Sequence, residues 1–371
     1  MLTMWLNICP NSGIVNKAVE CLGEGKSPGI QDHGPGFGIL CPMQTSEPQD
    51  AFPAAPFIKE IGRGKKGARS MSREDARQLY TAMLDGRVSD LELGGILLAM
   101  RIKGESVEEI AGFLDAAETS FEQLAAPVGE YAPVVIPSYN GSRNVPNLTP
   151  LLALLLARDG VPVLIHGVIH DHGRVTTAEI LHELGLQFAH SAREAEAQFA
   201  QCQPVFMPIE ALAPRMARLL ALRRVLGVRN STHTLVKIMQ PFQGPALRLT
   251  SYTHPEYLAM LSNYFATAAP PQRGDAFLMR GTEGETVANA KRAQQIEWFH
   301  GGQRTVLVQK QEATDEVPPL PDDSDAASTA RWIAAALRGE QPVPAPIAEQ
   351  VTHCLNVAKQ IRSREENDHA G

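Results

Sequence analysis

The sequence predicts an α/β protein in two parts: a small all-helical N-terminal domain and a larger α/β domain with a central, mainly parallel sheet. Three observations predict it. Over residues 58–123 apolar residues recur at helical spacing, and the runs break at tight Gly turns. From Val134 onward short apolar runs alternate with helical stretches at the lengths of βαβ units, which imply parallel strands. The 371 residues, 44% hydrophobic and 20% charged, suit one large globular domain plus a smaller one.

Residues 1–53 hold Cys9, Cys21 and Cys41, several Gly and Pro, and no sustained period. They read as a disordered extension, or as a leader ahead of a start at Met43. A small metal-binding arm of those cysteines and His33 is the alternative, but the spacings match no common site. The helical domain is expected over 54–125, completed by helices from about 190–226. Ser72 caps a helix running through Leu84, with Glu74 and Asp75 in its first turn. Asp90 and Leu91 open a second helix to Arg101, and Ser106 a third to about Ala117.

The α/β domain is expected over 130–365. Residues 133–137 and 161–166 read as strands. Thr149 and Pro150 read as the cap and first position of a helix to Arg158, and Thr176 or Thr177 as the cap of one that stops at Gly185. Further strands are expected at 246–250, 276–279 and 305–308. Residues 214–225 read as helical, 312–325 as an exposed acidic loop, and 327–338 and 347–364 as closing helices.

Composition narrows the function classes. The net charge is -7, so charge alone does not suggest a nucleic-acid binder. Aromatics at 6% argue against an extensive base-stacking platform. The five cysteines form no CxxC pair and are odd in number, against a disulfide framework or structural zinc and for a reducing, cytoplasmic setting. The longest apolar stretch, 148–157, has about ten residues where a membrane span needs about twenty.

Leu93-Gly-Gly-Ile-Leu-Leu-Ala-Met-Arg-Ile-Lys-Gly-Glu105 resembles the start of anthranilate and nucleoside phosphoribosyltransferases, glycosyl transferase family 3. The likeness continues in order to about residue 340. Ile58-Lys-Glu-Ile-Gly-Arg-Gly-Lys65, Ile136-Pro-Ser-Tyr-Asn-Gly141, Pro204-Val-Phe-Met-Pro208, Gly227-Val-Arg-Asn230 and His254-Pro-Glu-Tyr257 are similar to the YbiB group of that superfamily, described as DNA-binding proteins. The resemblance implies the two-domain fold and a homodimer joined through the helical domains.

The transferases of the family use three elements. Their Gly-rich GTGGD loop brings backbone N–H groups against pyrophosphate. The matching stretch here is Pro137-Ser138-Tyr139-Asn140-Gly141, with Pro137 lacking an N–H and Tyr139 putting a ring where phosphate would lie. Their KHGN-type loop appears as Ile165-His166-Gly167-Val168, without the lysine; Arg174 falls near a position where the family often carries one. Their Asp-Glu magnesium pair falls on Thr286 and Val287, with Glu283 and Glu285 nearby at different spacing.

Some features survive: Asn144, Asn147 and Thr149 match the helix-start segment after the Gly-rich loop, and Arg229 matches an arginine of the aromatic-acid pocket. Ser138, Asn140, Asn147, Thr149, His166, Gly167, Arg174 and Arg229 are candidates for a residual cleft that holds a small anion. Asn147 and Thr149 are equally read as helix caps, and His166 reads first as a hydrogen-bonded structural histidine. His170, Asp171 and His172 read first as a solvated loop and second as a metal pair. No cofactor is expected, and magnesium only alongside residual binding of phosphoribosyl diphosphate. The expectation is a protein that is not an enzyme, with a divergent glycosyl or phosphoribosyl transferase as the alternative.

Charge segregation supports a nucleic-acid binder. No Asp or Glu occurs over 212–254, which contains Arg215, Arg218, Arg223, Arg224, Arg229, Lys237 and Arg248. A second cluster is Lys59, Arg63, Lys65, Lys66, Arg69, Arg73 and Arg77, with Arg101 and Lys103 ending a nearby helix. From these, Lys59, Arg63, Lys65, Lys66, Arg69, Arg101, Lys103, Arg215, Arg218, Arg223 and Arg224 are the expected contacts to DNA or RNA phosphates. The bland reading is solvated faces and internal ion pairs. No helix-turn-helix, zinc-finger or RNP motif is present, so binding is expected to tolerate any sequence.

Overall fold

The computed structural model describes residues 51–64, 66–313 and 317–370. The expectations for residues 1–50, including Cys9, Cys21, Cys41, His33 and Met43, and for Lys65 lie outside the described residues.

The described residues begin with four helices: α1 (Ala55–Ile61), α2 (Arg73–Asp85), α3 (Asp90–Lys103) and α4 (Val107–Glu118). Ser72, Ser89 and Ser106 start the last three, each hydroxyl accepting from the N–H three residues on. The cap of α3 is Ser89, one residue before the expected start, because Glu92 closes a capping box back onto it. Helices α2 and α4 lie in close contact at Gly112, where a Cβ would meet the Arg73 carbonyl oxygen at 2.1 Å. Tyr80 stacks on Phe113 at 5.0 Å and its hydroxyl lies 2.8 Å from Thr232 Oγ1. Thus a later segment packs on these helices: α8 (Ile209–Leu212), α9 (Pro214–Ala221), α10 (Arg223–Leu226) and α11 (Thr232–Leu235) in this numbering.

The sheet contains β1 (Val134–Ser138), β2 (Val163–Gly167), β3 (Val205–Pro208), β4 (Leu247–Tyr252), β5 (Ala276–Arg280), β6 (Ile296–His300) and β7 (Gln303–Val308), in the order β3-β2-β1-β4-β5-β6-β7. The first five are parallel, and β6 and β7 run antiparallel. Neither β3 nor β6 is expected from the sequence. The β6–β7 turn is Gly301-Gly302, both with positive φ (52° and 79°), as a two-residue hairpin demands.

Alternate residues of the strands face opposite cores. Val135, Leu164, Val205 and Leu278 join the core shared with the N-terminal helices and with α12 (Pro255–Thr267). Val134, Ile136, Val163, Ile165 and Phe277 face the other layer: α5 (Thr149–Arg158), α6 (Thr177–Glu183), α13 (Ala326–Leu337) and α14 (Ala345–Ala370). The remaining helix, α7 (Ala192–Phe199), precedes β3. Among the described residues no helix is long and apolar enough to cross a membrane.

One local expectation changes. Thr149 lies inside α5 rather than capping it; Asn147 Oδ1 instead accepts from the Thr149 N–H at 3.1 Å. Gly167 is the contact point of β1 and β2: a Cβ there would lie 1.8 Å from the Ser138 carbonyl oxygen.

Strand β1 has β2 on one side and β4 on the other, so the chain leaves its neighbourhood in opposite directions. Such a switch point opens a crevice beyond the carboxyl end of β1. The Gly167 contact fixes the floor of that crevice. Gly167→Ala is expected to destabilise the fold by about 2 kcal/mol or more through overpacking, read as a lower urea midpoint at unchanged slope.

Candidate functional site

The segment after β1 turns sharply at Gly141 (φ 62°), where a Cβ would lie 2.7 Å from the Val175 carbonyl oxygen. The turn aims successive backbone N–H groups at one region, an arrangement that binds anions. Two carboxylates of the chain fill it. Glu285 Oε1 accepts from Asn140 N at 2.9 Å and Gly141 N at 2.8 Å. Glu283 accepts from Ser142 Oγ (3.2 Å), Asn144 N (3.1 Å), Asn144 Nδ2 (2.5 Å) and the Arg143 N–H. Arg174 donates to the Gly141 carbonyl oxygen at 3.2 Å and lies 3.8 Å from the Glu283 carboxylate. Burial opposes ionisation of Glu283, but the N–H donors of Arg143 and Asn144 outweigh it and hold its carboxyl below the ordinary range.

The residues behind the loop serve its structure. Ser138 Oγ donates to Thr177 Oγ1 at 2.8 Å, and Asn147 Nδ2 donates to the same oxygen at 3.1 Å. Tyr139 turns toward His166. Its hydroxyl lies 2.7 Å from His166 Nδ1, and the two rings meet edge to face at 5.5 Å. Burial lowers the His166 pKa to about 3 and raises that of Tyr139, so the pair is neutral. Thr286 and Val287, where the family's magnesium acids would fall, are both buried. His170 pairs with Glu179 at 3.1 Å, and among the described residues no group of three or more His, Cys, Asp and Glu is arranged to hold a metal.

Next to this loop a pocket opens between α3 and the carboxyl end of β4. Its lining includes Arg101, Arg229, His233, Lys237, Ser251, Thr253, His254 and Tyr257, and no carboxylate. Arg229 Nη2 donates to Asn140 Oδ1 at 2.8 Å, Lys237 Nζ to the Gly284 carbonyl oxygen at 3.2 Å, and Arg101 Nη1 to Tyr257 Oη at 2.8 Å. Burial, then the charges of Arg223 and Arg174, lowers the Arg229 pKa. Burial brings Lys237 down to about 8 against the pull of Glu285. Burial, then Arg229 and Arg223, brings His233 down to about 4. After burial, the charges of Arg223, Arg174 and Arg229 add to these shifts, which marks a locally positive field that attracts anions.

The expected nucleic-acid residues divide. Lys59, Lys66, Arg223 and Arg224 are exposed and form no salt bridge among the described residues, and Arg101 lines the pocket. Arg63 pairs with Glu60 at 2.5 Å and Arg69 approaches the same carboxylate at 3.9 Å. Three side chains hold the fold instead of facing solvent freely. Lys103 is buried against Glu109 at 2.6 Å. Arg215 pairs with Asp85 at 2.6 Å, and Arg218 Nη2 donates to the Met83 and Leu84 carbonyls that end α2. Residues left out of the expected site are His233, Lys237, Ser251, Thr253, His254 and Tyr257. The absence of acids over 212–254 is the signal that marks most of them.

Residues 55–120 match the family described as "Glycosyl transferase family, helical bundle domain". Yeast anthranilate phosphoribosyltransferase, in a structure with PRPP and Mg, superposes with a TM-score of 0.60 at 14% identity, over 85% of this chain and 93% of that one. The Thermus thermophilus enzyme (TrpD) gives 0.63 at 19%, over 83% and 89%. The fold is therefore a phosphoribosyltransferase scaffold. In sequence, "Uncharacterized protein YbiB" of Escherichia coli K12 is 46% identical over 301 residues, 81% of this chain and 92% of that protein. Anthranilate phosphoribosyltransferase of Desulfitobacterium hafniense Y51 is 30% identical over 164 residues, 44% of this chain and 48% of that one. The chain belongs to the YbiB family of TrpD-like glycosyl transferase family 3 proteins.

Two expectations follow. Between pH 6.5 and about 3 the unfolded chain takes up a proton that native His166 refuses. Its native pKa is depressed, so stability falls as pH falls through that window, by about 1.4 kcal/mol per pH unit from this group. His166→Gln is expected to flatten urea-derived stability against pH by about one proton. Lys103→Met leaves Glu109 buried without its cation and is expected to cost about 3 kcal/mol, while the folded fraction keeps its surface properties.

Proposed function

We propose that this chain is a sequence-nonspecific nucleic-acid (DNA) binding protein on a phosphoribosyltransferase scaffold, and that it grips phosphates at the cationic pocket and the arginines beside it. The observation that carries this reading is the pocket lining: Arg101, Arg229, Lys237 and His233 converge without a carboxylate among them. Exposed Arg223 lies near enough to depress both Arg229 and His233, and Arg224 follows it. Guanidinium groups suit phosphate oxygens through paired N–H donors. Tyr252, His254 and Tyr257 add a small aromatic surface beside the cations, so the grip is chiefly on the backbone.

The yeast relative is described in complex with PRPP and Mg. The residues here do not suit that pair. The N–H groups of Asn140, Gly141, Arg143 and Asn144 are already engaged. Both nearby carboxylates accept from those N–H groups. No transfer step is therefore assigned. A divergent transferase draws support from the likeness to anthranilate phosphoribosyltransferases and from the pocket at the carboxyl end of β4, and a small anion such as free phosphate remains a fitting occupant.

The same reading includes a homodimer joined through the helical domains. Leu91, Leu98 and Ile102 lie on one face of α3 and are 88%, 47% and 62% exposed, with open space over Gly94 and Gly95 between them. A stripe of this kind suits a second copy of the chain. Leu98→Asp with Ile102→Asp is expected to halve the mass measured by light scattering; a wild-type monomer contradicts the assignment.

The function is tested by fluorescence anisotropy of a labelled single-stranded oligonucleotide at low and high salt. With about five phosphate contacts, the log-log salt slope is expected at roughly −3 to −4, whatever the base sequence. Arg223→Glu with Arg224→Glu is expected to weaken binding severalfold without unfolding. Absence of binding at low salt, or unchanged affinity in the folded double variant, overturns the proposal.

A further inference from the structure

We infer that Glu283 and Glu285 are a built-in substitute for a phosphate ligand, closing an oxyanion site at the end of β1 that opens to inorganic phosphate or pyrophosphate when the two carboxylates are removed. This inference is independent of nucleic-acid binding.

The first ground is the chemistry of the contact. Four backbone N–H groups, those of Asn140, Gly141, Arg143 and Asn144, converge on two carboxylates presented by one short loop. Carboxylate and phosphate are both acceptor-only anions, and both are held by convergent backbone N–H groups in such concavities. A cradle built for a mobile anion is here filled by a tethered one.

The second ground is the seating of the loop. Its conformation is one that side chains rarely adopt: Glu283 has φ 51° and Gly284 φ 100°. A non-Gly residue in that region persists only where its surroundings enforce it. Here the enforcement is visible. The Gly284 carbonyl oxygen accepts from Asn140 Nδ2 (2.8 Å), Ser251 Oγ (2.8 Å) and Lys237 Nζ (3.2 Å). A Cβ on Gly284 would lie 2.5 Å from Asn140 Nδ2, so the two loops meet without space for a side chain.

The third ground is that the contact is incomplete in the way a substitute would be. Glu285 is 1% exposed, yet its Oε2 has no hydrogen-bond partner. A carboxylate supplies two oxygens where a phosphate supplies three or four, and it is fixed to a backbone that limits its orientation. The arrangement also ties the loop to the cationic pocket, because Lys237, Ser251 and Arg229 line the pocket and hold either Gly284 or Asn140.

The test uses the full chain and metal-free inorganic pyrophosphate at constant ionic strength. Isothermal titration compares wild type, Glu283→Ala, Glu285→Ala and the double variant. Because Glu285 also acts on Lys237 of the cationic pocket, each is repeated with Arg101→Ala, which weakens the pocket alone, and the gain that survives it reports the cradle. The double variant is expected to bind at least about tenfold more tightly than wild type, a readily measured change. Thermal unfolding gives a second readout: Glu285→Ala is expected to melt several degrees lower, with part of the loss restored by pyrophosphate and not by matched chloride. Equal affinity in wild type and the folded variants overturns the inference. If the Glu285 variants do not fold, Glu283→Ala decides the question alone: a gain in pyrophosphate affinity supports the inference, and none overturns it.

Discussion

The Glu285 carboxylate, buried against the N–H groups of Asn140 and Gly141, fixes the centre of this protein. The end of β1 is where the parallel sheet opens a crevice, so whatever occupies that turn determines what the scaffold can bind. An N–H group buried there without a partner would be costly, which leaves two solutions: a ligand, or a side chain of the chain itself. This sequence adopts the second. Asn140 then becomes a hinge between two systems, since its backbone N–H meets Glu285 while its side chain bridges Gly284 and Arg229. The cationic pocket inherits its shape from that arrangement.

Local positive charge follows from the same geometry. The overall charge is -7, yet Arg229 and Lys237 stand in a lining without acids, where burial first, then Arg223 and Arg174 on Arg229 and Arg229 on Lys237, lowers their proton affinity. The acid acting on Lys237 is Glu285, whose Oε1 is already committed to the loop. Elsewhere cations are neutralised one by one, as with Lys103 on Glu109 and Arg215 on Asp85. The protein thus separates structural cations, each with an internal partner, from those left to face solvent or a ligand.

Much of the fold is legible in the sequence because its signals are local. Ser72, Ser106 and Thr176 declare their helices through the residue three positions later. Strand β3 is hidden because it is four residues long, ends in Pro208 and runs directly into a helix. Strand β6 carries Glu297 and His300 among its apolar residues, though the Gly301-Gly302 pair after it signals a hairpin. The site is less legible. Glu283 and Glu285 stand out as acids near the place of a metal pair, but the N–H groups they meet lie about 140 to 145 residues earlier in the chain. Likewise the Ser106–Glu109 capping box is visible, whereas burial of Lys103 on that carboxylate depends on tertiary packing. Spacing reveals which side chains are charged; only the fold reveals which charges are already paired.

The most direct measurement is amide hydrogen exchange at Asn140, Gly141, Arg143 and Asn144 in anion-free buffer. If the chain's own carboxylates fill the cradle, these four amides exchange slowly in the free protein, and added pyrophosphate leaves their rates unchanged. Fast exchange in the free protein that slows when pyrophosphate is added would contradict the account, because the cradle would then be an open ligand site.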